Sequence, residues 1–319
     1  MATADQLKSL VKAYVERNDE KFKTVVLQIA AHEAKLGHDN FARELKKQID
    51  KMGNRRPSII QLTSQNPMLS LSVPNYDLSE LIVSVEIREN INRILNEYRN
   101  RNKLHSYGLM NRRKIMIEGK PGTGKTLTAA IIASELSLPL YTVQMDKLIT
   151  KFMGETSTKL RQIFDSIKSI VGVYFFDEFD AIGADRSFDN EVGEMRRILN
   201  SFLQFIEQDS SESIIIVATN NQKLLDQALF RRFDDVLHYS LPTKLEVHQL
   251  LENKLVNYDD TFLVTNEILE SADGLSHAEI VKVCDDAIKA AILDEEPITK
   301  KKVISLLKER HNIYSYKEA

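Results

Sequence analysis

The sequence predicts an α/β protein in which a parallel sheet is sandwiched by helices, followed by a small helical lid and preceded by a short three-helix unit. Three observations carry this expectation. In the first fifty residues the apolar positions recur at helical spacing. Between residues 77 and 242, short apolar runs of strand type alternate with amphipathic stretches, and after Leu241-Pro242 only helical patterns remain. The resulting boundaries are 1–52 for an N-terminal helical domain, 53–76 for a linker, 77–242 for the α/β domain and 243–319 for the lid.

Taken in order, Leu7, Leu10, Val11 and Tyr14, then Phe22, Val25, Val26 and Ile29, then Phe41, Leu45 and Ile49 mark the three amphipathic helices. Asn18-Asp19 and Leu36-Gly37-His38 break them apart. His32-Glu33 opens a sequence like the zinc-protease HExxH, but the second histidine would have to stand where Leu36 does, so that reading fails. From Gly53 to Asn75, Pro57, Pro67 and Pro74 punctuate a stretch rich in Ser, Asn and Gln with no sustained period, which reads as linker. The strand candidates are Lys114–Ile117, Leu140–Val143, Val171–Phe176 and Ile214–Ala218. Helical stretches between them imply parallel strands covered on both faces. The lid helices are expected around Leu245–Val256, Asn266–Ser271, His277–Leu293 and Thr299–Lys308.

Composition excludes several classes. A chain of 319 residues with 43% hydrophobic content can bury two or three cores. One cysteine, Cys284, precludes an internal disulfide framework and is expected to be a buried thiol. No run of about 18 apolar residues is present to span a bilayer, and the opening MATADQLKSL lacks the apolar core of a secretory signal. A cytoplasmic protein with no membrane partner is expected. Net charge is −3, so no overall field favours nucleic acid. Arg99, Arg101, Lys103, Arg112, Arg113 and Lys114 form a local basic stretch, read as a solvated helix face and its following loop.

Directly after the strand Lys-Ile-Met-Ile comes Gly119-Lys-Pro121-Gly122-Thr123-Gly124-Lys125-Thr126, followed by Leu127. It fits G-x-x-x-x-G-K-[ST] between a strand and a helix, the context that this motif requires. The glycines let successive backbone N–H groups turn inward at phosphate oxygens, helped by the positive end of the following helix. Lys125 would reach the β- and γ-phosphates and the Thr126 hydroxyl would bind Mg²⁺. The strand Val173–Phe176 then ends in Asp177-Glu178, two carboxylates at the carboxyl edge of the sheet, where ligands sit in this architecture. Asp177 suits Mg²⁺, and Glu178 suits the orientation and deprotonation of an attacking water. Asn220, after the next strand, can position that water and sense the γ-phosphate. Arg231 and Arg232, adjacent and followed by Phe233-Asp234, can stabilise transition-state charge, supplied from a neighbouring subunit.

With these residues assembled, the stretch from about Leu78 to Leu293 resembles the AAA ATPases, a branch of the P-loop NTPases, through the phosphate loop, Phe175–Gly183, Ala218-Thr-Asn220, Arg231–Asp234 and Gly274-Leu-Ser276. The resemblance implies ATP as ligand, a homo-oligomeric ring, commonly a hexamer, with nucleotide between subunits, and a lid that closes over it. It also implies an adenine pocket lined by Leu81, Ile82 and Val83. Two departures stand out. Many relatives separate the two arginines by a Pro-Gly insertion, whereas Arg231 and Arg232 are adjacent in this chain, so either can be the acting residue, with Arg232 favoured by its place before Phe233-Asp234. The lid segment Gly274–Ile280 carries no arginine where some extended relatives place a second sensor.

Between the phosphate loop and Asp177, Lys151-Phe152-Met153-Gly154-Glu155 resembles the pore loop of AAA unfoldases, in which Phe152 and Met153 would grip a threaded polypeptide. A second central loop is expected within Arg186–Glu191. The leading expectation is therefore a machine that unfolds, remodels or disassembles a protein partner, with the N-terminal helices as adaptor. The stretch Leu27–His38 gives the N-terminal unit a resemblance to bacterial AAA ATPases encoded beside subtilisin-like serine proteases in toxin–antitoxin or phage-defence pairs. Two other classes stay open: an ATP-dependent regulatory switch that threads nothing, and a nucleic-acid motor that uses the basic stretch, although nucleic acid is not the expected partner.

Overall fold

The computed structural model describes residues 24–27, 29–31, 33, 38, 43, 45, 66–148, 155–182, 189–220, 230–256 and 258–315. The chain divides into two compact units, Met1–Leu62 and Thr63–Ala319. In the first, residues 24–27, 29–31, 33, 43 and 45 are helical. Val25, Val26, Ile29 and Ala30 are buried there at the i, i+4 spacing of one helix face. Glu33 is buried with them and accepts from His38 Nδ1 at 2.7 Å, a contact that holds its carboxyl below the usual range.

The second unit is built on a six-stranded sheet. In chain order its elements are β1 (Leu69–Ser72), α1 (Val85–Arg99), α2 (Arg101–Ser106), β2 (Lys114–Gly119), α3 (Lys125–Glu135), β3 (Leu140–Val143), α4 (Met145–Leu148), α5 (Glu155–Ser169), β4 (Val173–Phe176), α6 (Asp189–Gln208), β5 (Ile214–Thr219) and β6 (Asp235–Tyr239). The helices α7 (Lys244–Leu251), α8 (Asn266–Ser271), α9 (His277–Asp294) and α10 (Lys300–Ser315) come after β6, with a π-helical turn at Glu252–Val256. The sheet order is β1-β3-β4-β5-β2-β6, parallel throughout except for β1, which pairs antiparallel with β3.

Central strands covered on both faces should be apolar at every position, and β4 and β5 are buried along their whole length. The period of two then sorts side chains between two cores. Tyr174, Phe176, Ile215 and Val217 join Phe164 and Phe202 of α5 and α6 on one face, whereas Val173, Phe175, Ile214 and Ile216 join Ile91, Ile94, Ala129 and Ile132 of α1 and α3 on the other. A third core, made by Val247, Leu251, Ile280, Val283, Cys284 and Leu307 among others, belongs to the four lid helices. Burial pushes the Cys284 thiol up to about 12.

Two strands depart from the sequence reading. Leu69–Ser72 falls within the expected linker, yet its Leu-Ser-Leu-Ser alternation pairs with β3 as an edge strand, where four residues between Pro67 and Pro74 suffice. Asp235–Tyr239 is a sixth strand whose charged and polar positions hid its alternation; Leu237 and Tyr239 are buried and His238 is exposed.

Candidate nucleotide site

Strand β2 ends at Gly119 and the chain turns directly into α3, whose first residue is Lys125. The turn is crowded from two sides. A Cβ on Gly119 would lie 2.5 Å from the Tyr239 carbonyl oxygen, and a Cβ on Gly122, at φ +77°, would lie 2.5 Å from Ser276 Oγ. The second contact belongs to the lid, and Ala278 N, in the first turn of α9, donates to the Gly122 carbonyl at 2.9 Å. Thr123 Oγ1 closes the loop on itself by donating to the Lys120 carbonyl at 2.8 Å.

The sequence-predicted side chains converge on this loop. Lys125 Nζ donates to the carbonyls of Gly119 (2.6 Å) and Lys120 (2.9 Å) and to Asn220 Oδ1 (2.8 Å). Burial lowers its pKa, and Asp177 and Asp180 oppose that shift. Thr126 Oγ1 donates to Asp177 Oδ2 at 3.0 Å. Asp177 Oδ1 accepts from the amide of Glu178 at 2.9 Å, and Glu178 has φ +50°, a left-handed backbone that a non-glycine residue adopts at some cost. Asp180, which the sequence reading left without a role, fixes Asn220: its Oδ1 accepts from Asn220 N at 3.1 Å and from Thr219 Oγ1 at 3.3 Å. Its place three residues after Asp177 was the available signal.

A cavity of about 930 Å³ opens beside the loop, a volume in the range of nucleotide-sized ligand sites. Pro121–Leu127, Asp177, Glu178 and Asn220 line it together with Leu81, Ile82, Leu250, Asn253, Lys254, His277 and Val281. Val83, expected in the adenine pocket, is not in the cavity wall; it packs with Ile87 and Ile91 in the sheet core, because in an extended segment neighbouring side chains point to opposite sides. The lid contributors Leu250, His277 and Val281 were missed, since their spacing in the sequence is equally that of helix core.

The two arginines stand elsewhere. Arg231 is exposed and Arg232 Nε lies 2.7 Å from Glu207 Oε1. The next two residues hold them in place: Phe233 is buried in the sheet core, and Asp234 Oδ2 accepts from the amides of Arg113 (3.0 Å) and Lys114 (2.9 Å) at the start of β2. Strands β6 and β2 run parallel, from Asp235 opposite Ile115 to Tyr239 opposite Gly119. The arginines thus flank the edge at which β2 begins, whereas the phosphate loop leaves the edge at which it ends, five residues or roughly 15 Å away. Neither lines the cavity.

Phe152, Met153 and the loop within Arg186–Glu191 up to residue 188 lie outside the described residues. The basic stretch is a solvated face in part: Arg99 and Lys103 are exposed as expected, whereas Arg101, Arg112 and Lys114 are half-buried and Arg113 is buried. Arg99 pairs with Glu135 (2.8 Å), Arg101 lies over the Tyr98 ring and 3.5 Å from Glu212, Arg112 pairs with Glu97, and Arg113 is buried against Asp209. These charges serve the fold's own carboxylates.

A parallel sheet ordered in this way, with a phosphate loop at one strand end and an acidic pair at another, defines a nucleotide-hydrolysing protein of the P-loop class. The family model described as "ATPase family associated with various cellular activities (AAA)" matches residues 115–241. An uncharacterised AAA family ATPase of Sinorhizobium fredii, y4kL, is 34% identical over 302 residues, covering 92% of this chain and 91% of that protein. The chain belongs to the AAA family of ATPases. A putative 26S proteasome regulatory subunit homolog of Methanothermobacter marburgensis is 32% identical over 206 residues, 62% of this chain and 55% of that protein. Among solved structures, the FIGL-1 AAA domain in complex with ADP shares the fold with a TM-score of 0.58 at 23% identity, over 74% of this chain and 85% of that one.

Proposed function

We propose that this AAA ATPase works as a ring, a hexamer as the family resemblance implies, which remodels a protein partner and completes each active site with an arginine from the neighbouring copy. The observation that carries this reading is the placement of Arg231 and Arg232. Roughly 15 Å of sheet separates them from their own phosphate loop, about twice the reach of an arginine side chain, so their guanidinium groups serve a site on another subunit.

Within the site, Lys125 would exchange its carbonyl partners and Asn220 for phosphate oxygens. Thr126 and Asp177 would hold Mg²⁺, for their hydroxyl and carboxylate oxygens already lie 3.0 Å apart and are the hard donors that this ion takes. Among the described residues no cluster of three or more His, Cys, Asp or Glu forms a protein cage, which suits an ion that completes its shell with phosphate oxygens and water. The ion, when bound, neutralises charge on the β- and γ-phosphates. Glu178 orients the attacking water and takes its proton, and Asn220, fixed by Asp180, positions that water against the γ-phosphate.

Phe152 and Met153 are the residues assigned to gripping the partner, and the likeness to a relative named for proteasome regulation supports a remodelling role. The N-terminal helices serve as adaptor, with a subtilisin-like serine protease of a bacterial toxin–antitoxin or phage-defence pair as the partner supported by the resemblance of Leu27–His38. The cytoplasm is the proposed place of action; among the described residues no helix is long and apolar enough to cross a membrane. A nucleic-acid role loses support, because Arg99, Arg101, Arg112 and Arg113 are engaged within the fold. Two measurements test the proposal. ATPase activity per chain should rise with protein concentration, and constant activity down to nanomolar chain would count against assembly. Phe152→Ala should lower the amount of tethered substrate unfolded per ATP consumed by at least about tenfold; an unchanged ratio would favour a switch.

A further inference from the structure

Tyr76 is the last residue of the expected linker, and the fold puts it in the wall of the cavity. Its backbone is bound in both directions to one side chain of α3: Tyr76 N donates to Ser134 Oγ at 3.1 Å, and Ser134 Oγ donates to the Tyr76 carbonyl at 2.7 Å. The next residues continue the attachment. Leu78 N donates to Glu135 Oε1 at 3.3 Å, Asp77 caps the short 3₁₀ turn Leu78–Glu80 by accepting from Ser79 N at 2.8 Å, and Arg88 of α1 donates to the Leu78 carbonyl at 3.2 Å. The segment that leads into Leu81 and Ile82 is thus fastened to α3 and α1 by bonds that do not involve the side chain at position 76.

That side chain is a large aromatic left 44% exposed, and among the described residues it is the only tyrosine or phenylalanine in the cavity wall. Its place along the cavity follows from α3. Ser134 comes nine residues after Lys125, roughly 13 Å along the helix axis. Tyr76 therefore enters the cavity from well beyond the phosphate loop, together with Leu81 and Ile82 of its own segment, where the nucleoside of a loop-bound nucleotide would extend. An accessible aromatic ring on an immobilised backbone offers a π-face at little entropic cost, and the ligand surface that suits it is a flat ring.

We infer that Tyr76 stacks on the base of the bound nucleotide, a platform carried by the α/β domain and independent of the lid. This rests on the reading that the cavity is the nucleotide site. Stacking uses the π-face of the base and not its edge, so Tyr76 adds affinity for a nucleotide over an inorganic polyphosphate.

The test is equilibrium binding of ADP and of inorganic tripolyphosphate to the full chain and its variants. Tyr76→Ala should weaken ADP at least about fivefold and leave tripolyphosphate within about twofold. Tyr76→Phe, which keeps the ring, should stay within about twofold of the wild type for both. The chain contains ten tyrosines and no tryptophan, so tyrosine emission gives a second readout. ADP should quench part of the wild-type emission, and that part should be missing in Tyr76→Phe although ADP still binds; this comparison carries the test if the alanine variant fails to fold. Equal losses for ADP and tripolyphosphate, an ADP affinity unchanged in Tyr76→Ala, or a quench that persists in full in Tyr76→Phe would overturn the inference. Lys125→Ala separates the two levels of argument. If it leaves ADP binding intact, the cavity is not the nucleotide site; if it abolishes binding while Tyr76→Ala has no effect, only the role of Tyr76 fails.

Discussion

Replacing Gly122 by alanine tests whether the lid rests on the phosphate loop in the nucleotide-free protein. At φ +77° an alanine costs about 1–2 kcal/mol on backbone grounds alone. Its Cβ would also lie 2.5 Å from Ser276 Oγ and 3.1 Å from the Cβ atoms of Ser276 and Ala278. Relief of that overlap must move the first turn of α9 away and break the bond from Ala278 N to the Gly122 carbonyl, worth about 1 kcal/mol net. The expected destabilisation is about 2–4 kcal/mol, or roughly 5–12 °C in Tm for a unit of this size. Thermal and urea denaturation without nucleotide read it directly. Ser276→Gly removes both Ser276 atoms, leaving the tighter-than-usual Ala278 Cβ contact and the loss of a helix cap, a few tenths of a kcal/mol. In the double variant about 1–2 kcal/mol should therefore return. A Gly122→Ala variant that unfolds with the wild type, or one that Ser276→Gly does not rescue, would refute the contact.

Asp180→Ala removes both acceptor bonds that hold Asn220 and Thr219, so kcat should fall at least about tenfold while ADP affinity stays within about threefold; comparable losses in both would show that Asp180 supports binding rather than the catalytic step. The buried Cys284 thiol, pushed up to about 12, keeps its proton in the folded protein, whereas the unfolded chain loses it near the ordinary thiol value. Its contribution to stability is full below about pH 8.5 and is lost as pH climbs towards its folded value, so Cys284→Ala should show a flatter fall in urea midpoint across that range than the wild type. Parallel pH profiles would contradict the burial argument.

Much of the site was legible because its motif is local. Gly119 to Thr126 is one contiguous turn whose strand-to-helix setting can be recognised from the flanking apolar runs, and Asp177-Glu178 closes a strand of four apolar residues. The strands β2 to β5 were legible for the same reason: buried on both faces, they read as continuous apolar runs. Edge strands do not have that signature. Leu69–Ser72 alternates over only four residues among prolines, and Asp235–Tyr239 mixes charge with apolar positions because one side of it faces solvent. The lid's share of the cavity wall was not legible at all. Leu250, His277 and Val281 reach it through the packing of the lid on the α/β domain, and nothing in helical periodicity distinguishes a residue that faces a ligand from one that faces a neighbouring helix. The basic stretch shows the converse. Its partners Glu135, Asp209 and Glu212 lie up to about a hundred residues away, so a run of cations in the sequence became a set of internal ion pairs only on folding.

The shared active site is the central claim, and complementation tests it most directly. Glu178→Gln chains lack the group proposed to activate water but keep their arginines, and Arg231→Ala/Arg232→Ala chains have the opposite defect. Each variant alone should be nearly inactive. Mixed in equal parts under conditions of subunit exchange, they should regain ATPase activity, since about one interface in four pairs an intact Glu178 with an intact arginine segment. If the mixture stays as inactive as its parts while exchange is verified, the arginines do not act across subunits and the active site is not shared.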